Sequence, residues 1–130
     1  MGKSISKEDY PHSEETQRII NAAFEVHNNL GAGFLEIVYK DALELEFHER
    51  KLFYEREKEY PVDYKGKTLP HSFFADFVIF EKVILEVKAK SGIASEDLSQ
   101  TLNYLKCSGC KVGLIINFRT SSVEIKRVIF

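Results

Sequence analysis

Three charged residues interrupt two otherwise apolar segments in the second half of the sequence. Asp76 lies within residues 72–80, and Glu86 and Lys88 lie within residues 83–89. Burying an unpaired charge is costly, so these interruptions call for a partner or a function. Two carboxylates and a backbone carbonyl would form the oxygen-rich pocket that Mg²⁺ prefers. An adjacent lysine could orient an attacking water or stabilise charge on a phosphate.

The tripeptide Glu-x-Lys alone is not specific, because it occurs at 49–51, 86–88 and 124–126. The first copy is predicted at a helix end and the last on the solvent side of a terminal strand. The apolar setting and the aspartate ten residues upstream distinguish the middle copy. A purely structural cross-strand pair between Asp76 and Lys88 remains an alternative interpretation.

The two apolar segments must pair in a particular register for these side chains to meet. A two-residue turn at 81–82 would place Asp76 on the face opposite Glu86, since each one-residue slip reverses the faces. A three-residue connection at 81–83, or a bulge near Asp76, would bring Asp76, Glu86 and Lys88 to one face. With the three-residue connection, the predicted pairs are Phe80–Ile84, Val78–Glu86 and Asp76–Lys88.

Two helices are expected before these strands. Ser13 is a candidate N-cap followed by two acids, helical spacing continues to Leu30, and Gly31 supplies the stop. A second helix is expected over residues 34–50. Its predicted apolar stripe comprises Leu35, Val38, Tyr39, Ala42, Leu43 and Leu45.

The remaining pattern alternates strands with one further helix. Residues 53–64 read as a strand, and Pro61 places it at a sheet edge because proline cannot donate to the ladder. A turn at Lys65-Gly66 precedes strands 72–80 and 83–89, a helix from Ser95, and strands 111–118 and 123–129. The order α-α-β-β-β-α-β-β indicates an α/β fold, a mixed sheet with helices packed on it.

Length and composition favour one domain. The 130 residues, 44% of them hydrophobic, suit a single core, predicted as a polar segment over 1–13 and a domain over 14–130. No apolar run approaches a membrane span, and the polar start is unlike a signal peptide, so we expect a cytoplasmic protein without membrane contact. Residues 61–130 carry ten Lys/Arg against seven Asp/Glu, a surplus of three positive charges. A polyanion would therefore meet the C-terminal half.

Two cysteines, Cys107 and Cys110, have the spacing C-x-x-C. A zinc site needs two further ligands, and the sequence has no second such pair and only scattered histidines. The pair falls where a helix is predicted to end, whereas a redox motif opens a helix. We expect reduced cysteines in a helix-to-strand turn, without a disulfide or a metal.

Several motifs together resemble the PD-(D/E)XK nucleases. Asp76-x9-Glu86-Val-Lys88 is similar to their D…ExK signature, and Gln100-Thr-Leu-Asn-Tyr104 to the Q-x-x-x-Y motif of the RecB-like branch. Gly33-Phe-Leu-Glu36-Ile-Val-Tyr39 resembles the element that gives the prokaryotic GxxExxY family its name. The resemblance spans about residues 14–130.

This resemblance implies a restriction-endonuclease-like fold and a divalent metal, Mg²⁺ or Mn²⁺. Asp76, Glu86 and the Val87 carbonyl would be metal ligands, with Lys88 as the catalytic lysine. Glu36 would complete the metal site from its helix, and Gln100 would border the substrate. Tyr104, Tyr39 and Lys90 are the candidate substrate contacts. For the two tyrosines, core packing with a polar tip is the alternative.

Two positions depart from the family pattern. Ala75 replaces the proline of the signature, a common change that touches no metal ligand. Asp97 stands three residues before Gln100, where related chains often have histidine, so a role for that side chain is not carried over.

The sequence therefore predicts a metal-dependent nuclease, with DNA favoured over RNA as its substrate. No DNA-reading module or basic arm accompanies the site, so any specificity would come from a protein partner or a homodimer. The alternatives are a catalytically silent module that keeps the fold to bind nucleic acid or a protein, and an interaction protein whose carboxylates are structural.

Overall fold

The computed structural model describes residues 11–130. The polar segment predicted over residues 1–13 lies almost wholly outside that range. The elements are α1 (Ser13–Leu30), α2 (Glu36–Glu49), β1 (Tyr54–Tyr60), β2 (Asp63–Tyr64), β3 (Lys67–Thr68), β4 (Phe73–Ile79), β5 (Val83–Lys88), α3 (Ser95–Ser108), β6 (Val112–Asn117) and β7 (Glu124–Ile129). The predicted order is confirmed with one addition, the small β2–β3 hairpin around the Lys65-Gly66 turn.

Five strands form one mixed sheet in the order β1-β4-β5-β6-β7. Strands β5 and β6 are parallel and are connected by α3, whereas the other neighbouring strands are antiparallel. Strand β1 lies at the edge, as Pro61 predicts, and Pro61 directly follows it. This mixed sheet with flanking helices confirms the predicted α/β, restriction-endonuclease-like fold class.

Two apolar clusters cover the two faces of the sheet. Helices α1 and α2 pack on one face, where Ile19 and Leu43 meet Phe77 and Leu85. Helix α3 packs on the other face, where Leu105 meets Ile84. The central strands are therefore apolar on both sides, as expected for strands covered by helices.

The two N-terminal helices differ from the sequence prediction in detail. Ser13 is the first helical residue and not the N-cap, a position taken by His12 in the left-handed region at φ 59°. The buried residues of α2 lie on one face of the helix. They are Tyr39, Lys40, Leu43 and Phe47, so the prediction for Leu35 and Leu45 was wrong, and these two leucines are 76% and 60% exposed.

The β4–β5 hairpin has a three-residue loop, but at residues 80–82 and not at 81–83. Ile79 pairs with Val83 and Val78 with Ile84, so the predicted pairs were wrong. The reason is local: Phe80 adopts φ 58°, which ends the strand, and Val83 is fully buried and belongs to β5. The shift is even in parity, so a regular continuation of the two strands would still place Asp76 on the face of Glu86.

Candidate active site

Strands β4 and β5 separate where the two carboxylates lie. Their ladder ends at the pair Phe77–Leu85. Beyond that pair, the Asp76 N–H donates to Glu86 Oε2 at 3.0 Å, and the Val87 N–H donates to Asp76 Oδ2 at 2.8 Å. Side-chain oxygens have thus replaced the backbone acceptors, and the two carboxylates meet in the gap between the strands.

The pleat of β4 also changes at Asp76. Residues two apart normally share a face of a strand, yet Phe77 belongs to the cluster under α1 and α2 and Ala75 to the cluster under α3. On the neighbouring strand, Glu57 has φ 53°, and the β1–β4 ladder has no pair between Glu57 and Asp76. The change of face directs Asp76 away from regular sheet pairing and into the site.

Lys40 is a site residue that the sequence analysis missed. Its ammonium lies 3.0 Å from Asp76 Oδ1 and also binds the Glu57 carboxylate. Lys40 is only 7% exposed, which is rare for lysine without a charged partner. Its spacing in the sequence could have revealed it, because Lys40 lies four residues after Glu36 and three before Leu43. That spacing places it on the buried face of α2.

Burial and like charge act together on the carboxyls. Burial, followed by the charge of Asp76, raises the pKa of Glu86 to about 8. Burial, again followed by the charge of Asp76, raises the pKa of Glu36. Asp76 therefore acts on Glu36 electrostatically, although the Glu36 side chain is exposed at the start of α2. Glu86 can keep a proton at neutral pH until a cation compensates its charge.

Lys88 and Lys90 both approach Asp97 on α3. Lys90 forms a 2.5 Å ion pair with Asp97, whereas the Lys88 ammonium lies 4.0 Å from the other oxygen. Asp97 also accepts the Ala94 N–H at the start of α3. Burial alone would raise the Asp97 pKa, but the hydrogen bonds from Lys90 and Ala94 outweigh it and lower that pKa. Asp97 thus ties the helix to the strand end that carries both lysines.

Helix α3 brings Tyr104 to the same side as Glu86. The Tyr104 ring stacks on Phe73 with centroids 4.0 Å apart, and Phe73 stacks on Tyr60. Burial, then the charges of Glu86 and Asp76, raise the Tyr104 pKa, while a hydrogen bond with Gln100 opposes that change. Gln100 itself is exposed. Gln100 and Tyr104 thus interact with each other on α3, and the charges of both carboxylates act on Tyr104.

Tyr39 does not fit a direct substrate contact. It is fully buried, and its ring stacks on Phe118 with centroids 4.6 Å apart. Its hydroxyl donates to Gly31 O at 2.5 Å and accepts the Phe34 N–H. The packing alternative describes this residue better, because its polar atom is used to shape the 31–34 loop.

The C-x-x-C pair lies at the C-terminal end of α3 and in the turn before β6. Cys107 is exposed, Cys110 is buried, and neither is in a disulfide. The position corresponds to the predicted helix-to-strand turn. Their redox state in the cell stays a prediction.

A divalent cation fits the site through two carboxylates. Within residues 11–130, no three His, Cys, Asp or Glu side chains converge as metal ligands. Asp76 and Glu86 do converge, and Val87, whose carbonyl is the third predicted ligand, is held to Asp76 through its N–H. Mg²⁺ usually takes one or two carboxylates and retains several waters, so this donor set suits it without Glu36 in direct contact.

Two carboxylates therefore meet at the point where two central strands part, and Lys88 lies two residues after Glu86 on β5. The chain matches the family model of the PD-(D/E)XK nuclease superfamily over residues 13–128. That range is nearly the whole chain, and the protein belongs to this superfamily. No curated protein and no solved structure is significantly similar to it.

Proposed function

We propose that the protein is a Mg²⁺- or Mn²⁺-dependent nuclease that hydrolyses phosphodiester bonds, with DNA as the favoured substrate over RNA. The observation that carries this proposal is the convergence of Asp76 and Glu86 where β4 and β5 separate, with Lys88 two residues further along β5. The superfamily match supports the same reaction class.

Each residue has a distinct task in this proposal. A bound divalent cation would polarise the scissile phosphate and lower the pKa of an attacking water. Asp76, Glu86 and the Val87 carbonyl would hold it, and Glu36 would contribute through its nearby charge. Lys88, whose contact with Asp97 is a loose 4.0 Å, keeps an ammonium available for the water or the phosphate.

Gln100, Tyr104 and Lys90 would border the substrate. Gln100 is exposed and Lys90 is partly exposed beside Asp97, so both can reach a ligand outside the carboxylate pair. Tyr104 can offer its hydroxyl, since its ring is already stacked on Phe73. These side chains would position the phosphate backbone and would not read its bases.

The broader setting is also a proposal. We infer membership of the prokaryotic GxxExxY group from Gly33, Glu36 and Tyr39, and a cytoplasmic location. A homodimer or a protein partner would supply specificity. No helix within residues 11–130 is both long and apolar enough to cross a membrane.

Lys88→Met tests the nuclease proposal, with Lys126→Met as a matched control. Both lysines end a Glu-x-Lys tripeptide on a strand, but Lys126 is exposed on β7, outside the site. With Mg²⁺ or Mn²⁺ and single- or double-stranded DNA and RNA, Lys88→Met should lose about 100-fold or more of the cleavage rate, by analogy with other electrostatic catalytic groups. Lys126→Met should cleave as the wild type does.

One observation favours a catalytically silent binding module. Both oxygens of Asp76 already have partners, Lys40 and the Val87 N–H. Binding of nucleic acid without cleavage, together with no heat of Mn²⁺ binding in calorimetry, would support that function. Metal binding that Asp76→Ala abolishes, accompanied by cleavage, would exclude it.

A further inference from the structure

A cavity lies beside the candidate active site, and of its lining residues only Glu36 has a part in the proposed chemistry. It is lined by Gly33, Phe34, Leu35, Glu36, Ala89 and Arg119. Its volume of about 460 Å³ is within the roughly 300–1,000 Å³ of typical ligand sites. Ala89 directly follows Lys88, and Glu36 lies one helical turn before Lys40, which contacts Asp76, so the cavity adjoins the candidate site.

The walls of this cavity are held by the core beneath them. Tyr39 binds Gly31 O and the Phe34 N–H, which fixes the loop before α2. The same ring stacks on Phe118, the residue before Arg119. One buried aromatic pair therefore sets the spacing between the Phe34 wall and the Arg119 wall, and the cavity is largely pre-formed.

The two walls offer different chemistry. The Phe34 side chain is 47% exposed although the loop that carries it is fixed. Arg119 is exposed, and its guanidinium has no hydrogen-bond or ion-pair partner among the described residues. A ligand that combines a flat aromatic ring with an anionic group would match both walls.

We propose that this cavity binds one unpaired nucleotide next to the scissile phosphate. Phe34 stacks on its base, and Arg119 binds its phosphate. The inference rests on the proposed nuclease function and specifies the substrate class, a single strand or a frayed end. A base inside a duplex has both faces covered by its neighbours, so in blunt, paired DNA only the two end pairs offer Phe34 a free face.

Fluorescence anisotropy with a labelled oligothymidylate tests this inference, with Ca²⁺ replacing Mg²⁺ and a gel showing that the oligomer stays intact. Wild type should bind the single strand more tightly than a blunt duplex of equal length. Phe34→Ala should weaken single-strand binding about tenfold, from the usual strength of base–aromatic stacking. Phe34→Tyr, which keeps a ring, should restore it.

Arg119→Ala should weaken binding and lower the slope of log affinity against log salt by about 0.7, the value for one phosphate contact on a single strand. The matched controls are Phe53→Ala and Arg18→Ala. Phe53 is 58% exposed beside the β4–β5 loop, and Arg18 lies over Phe80 at that same end of the sheet. Both controls should bind as the wild type does.

Equal effects of Phe34→Ala and Phe53→Ala, or no single-strand binding by the wild type, would overturn the inference. A dimer that Phe34→Ala dissolves, with DNA affinity unchanged, would instead identify a protein interface and also overturn it. If the variants bind single strands as expected but the wild type cleaves nothing with Mg²⁺ or Mn²⁺, the nuclease function is rejected. The nucleotide-binding role of the cavity would still stand.

Discussion

The ammonium of Lys40 offsets part of the negative charge of the carboxylates in the candidate site when no cation is bound. Its ammonium contacts Asp76, which is 15% exposed, and Glu57, which is 49% exposed. Solvent screens the Lys40–Glu57 contact more strongly, so the Lys40–Asp76 contact contributes more to the free energy of unfolding. Lys40 is thus the cation in direct contact with Asp76.

Lys40→Met should lower the free energy of unfolding by about 2 kcal/mol in EDTA at neutral pH, because it leaves Asp76 without that cation. The loss should shrink by about 1 kcal/mol in an Asp76→Asn background, since a neutral amide needs no counter-charge. Urea denaturation measures both values. Lys58→Met, which removes an exposed pair with Glu55, should cost no more than about 0.5 kcal/mol. Equal losses in both backgrounds would rule out the Asp76 contact as the cause.

The sequence predicted the location of Asp76 and Glu86 because charges in apolar strands are conspicuous. Lys40 and Glu57 were missed, since both lie in segments where charged residues are frequent. For Tyr39 the sequence left a substrate contact and core packing open: spacing places it on the face of Glu36, but only packing shows that its hydroxyl is used internally. Single-residue roles that depend on burial are the hardest to predict.

At the element scale, the distance between α3 and β6 depends on Gly113. A Cβ added there would lie 2.7 Å from Thr101 Cγ2, and Thr101 is buried on α3. The same helix carries Asp97, Gln100 and Tyr104, so the close approach at Gly113 determines the distance of these side chains from β5.

Gly113→Ala should destabilise the protein by about 1–3 kcal/mol through overpacking. Thr101→Ser removes the clashing methyl and keeps the hydroxyl, so the double variant should regain most of that loss. Thermal or urea unfolding of the four proteins in the cycle measures the coupling. Purely additive effects would show that the strain at Gly113 is relieved elsewhere and not at Thr101.

Element order was predictable because hydrophobic periodicity changes clearly between helices and strands. Exact register was not, since the positive φ values of Phe80 and Glu81 are unusual for these residue types. The meeting of Asp76 and Glu86 was predicted, because a shift of even parity leaves a regular continuation of β4 with Asp76 on the face of Glu86. Separation of β4 from β5 at the site depends on side-chain hydrogen bonds, which no periodic pattern encodes.

At the scale of the whole molecule, stability is linked to the proton on Glu86. Its pKa is about 8 in the fold and 4.5 as the reference value for the unfolded chain. Between those values the native state holds a proton that the unfolded chain has lost, so this contribution to stability is present at low pH and disappears as pH rises through about 8.

Glu86→Gln, which mimics the protonated form, should therefore match the wild type near about pH 5 in EDTA and exceed its stability near about pH 9 by at least about 1.4 kcal/mol, one pKa unit. Taking the difference from wild type cancels the other titrating groups. Glu96→Gln, at an exposed position in the first turn of α3, should show a difference that does not change with pH.

A bound divalent cation should offset the loss of stability that deprotonation of Glu86 causes. At a free Mg²⁺ concentration of about 100 times its Kd, the native wild type should gain about 2.7 kcal/mol. The affinity behind that gain should rise with pH toward about 8, because below it the cation must displace the Glu86 proton. Unfolding curves with and without Mg²⁺ across this range measure the gain. Glu86→Gln and Asp76→Ala should abolish the gain from Mg²⁺, and Glu96→Gln should retain it. An equal gain in the wild type and all three variants would instead place the bound cation outside the Asp76–Glu86 pair.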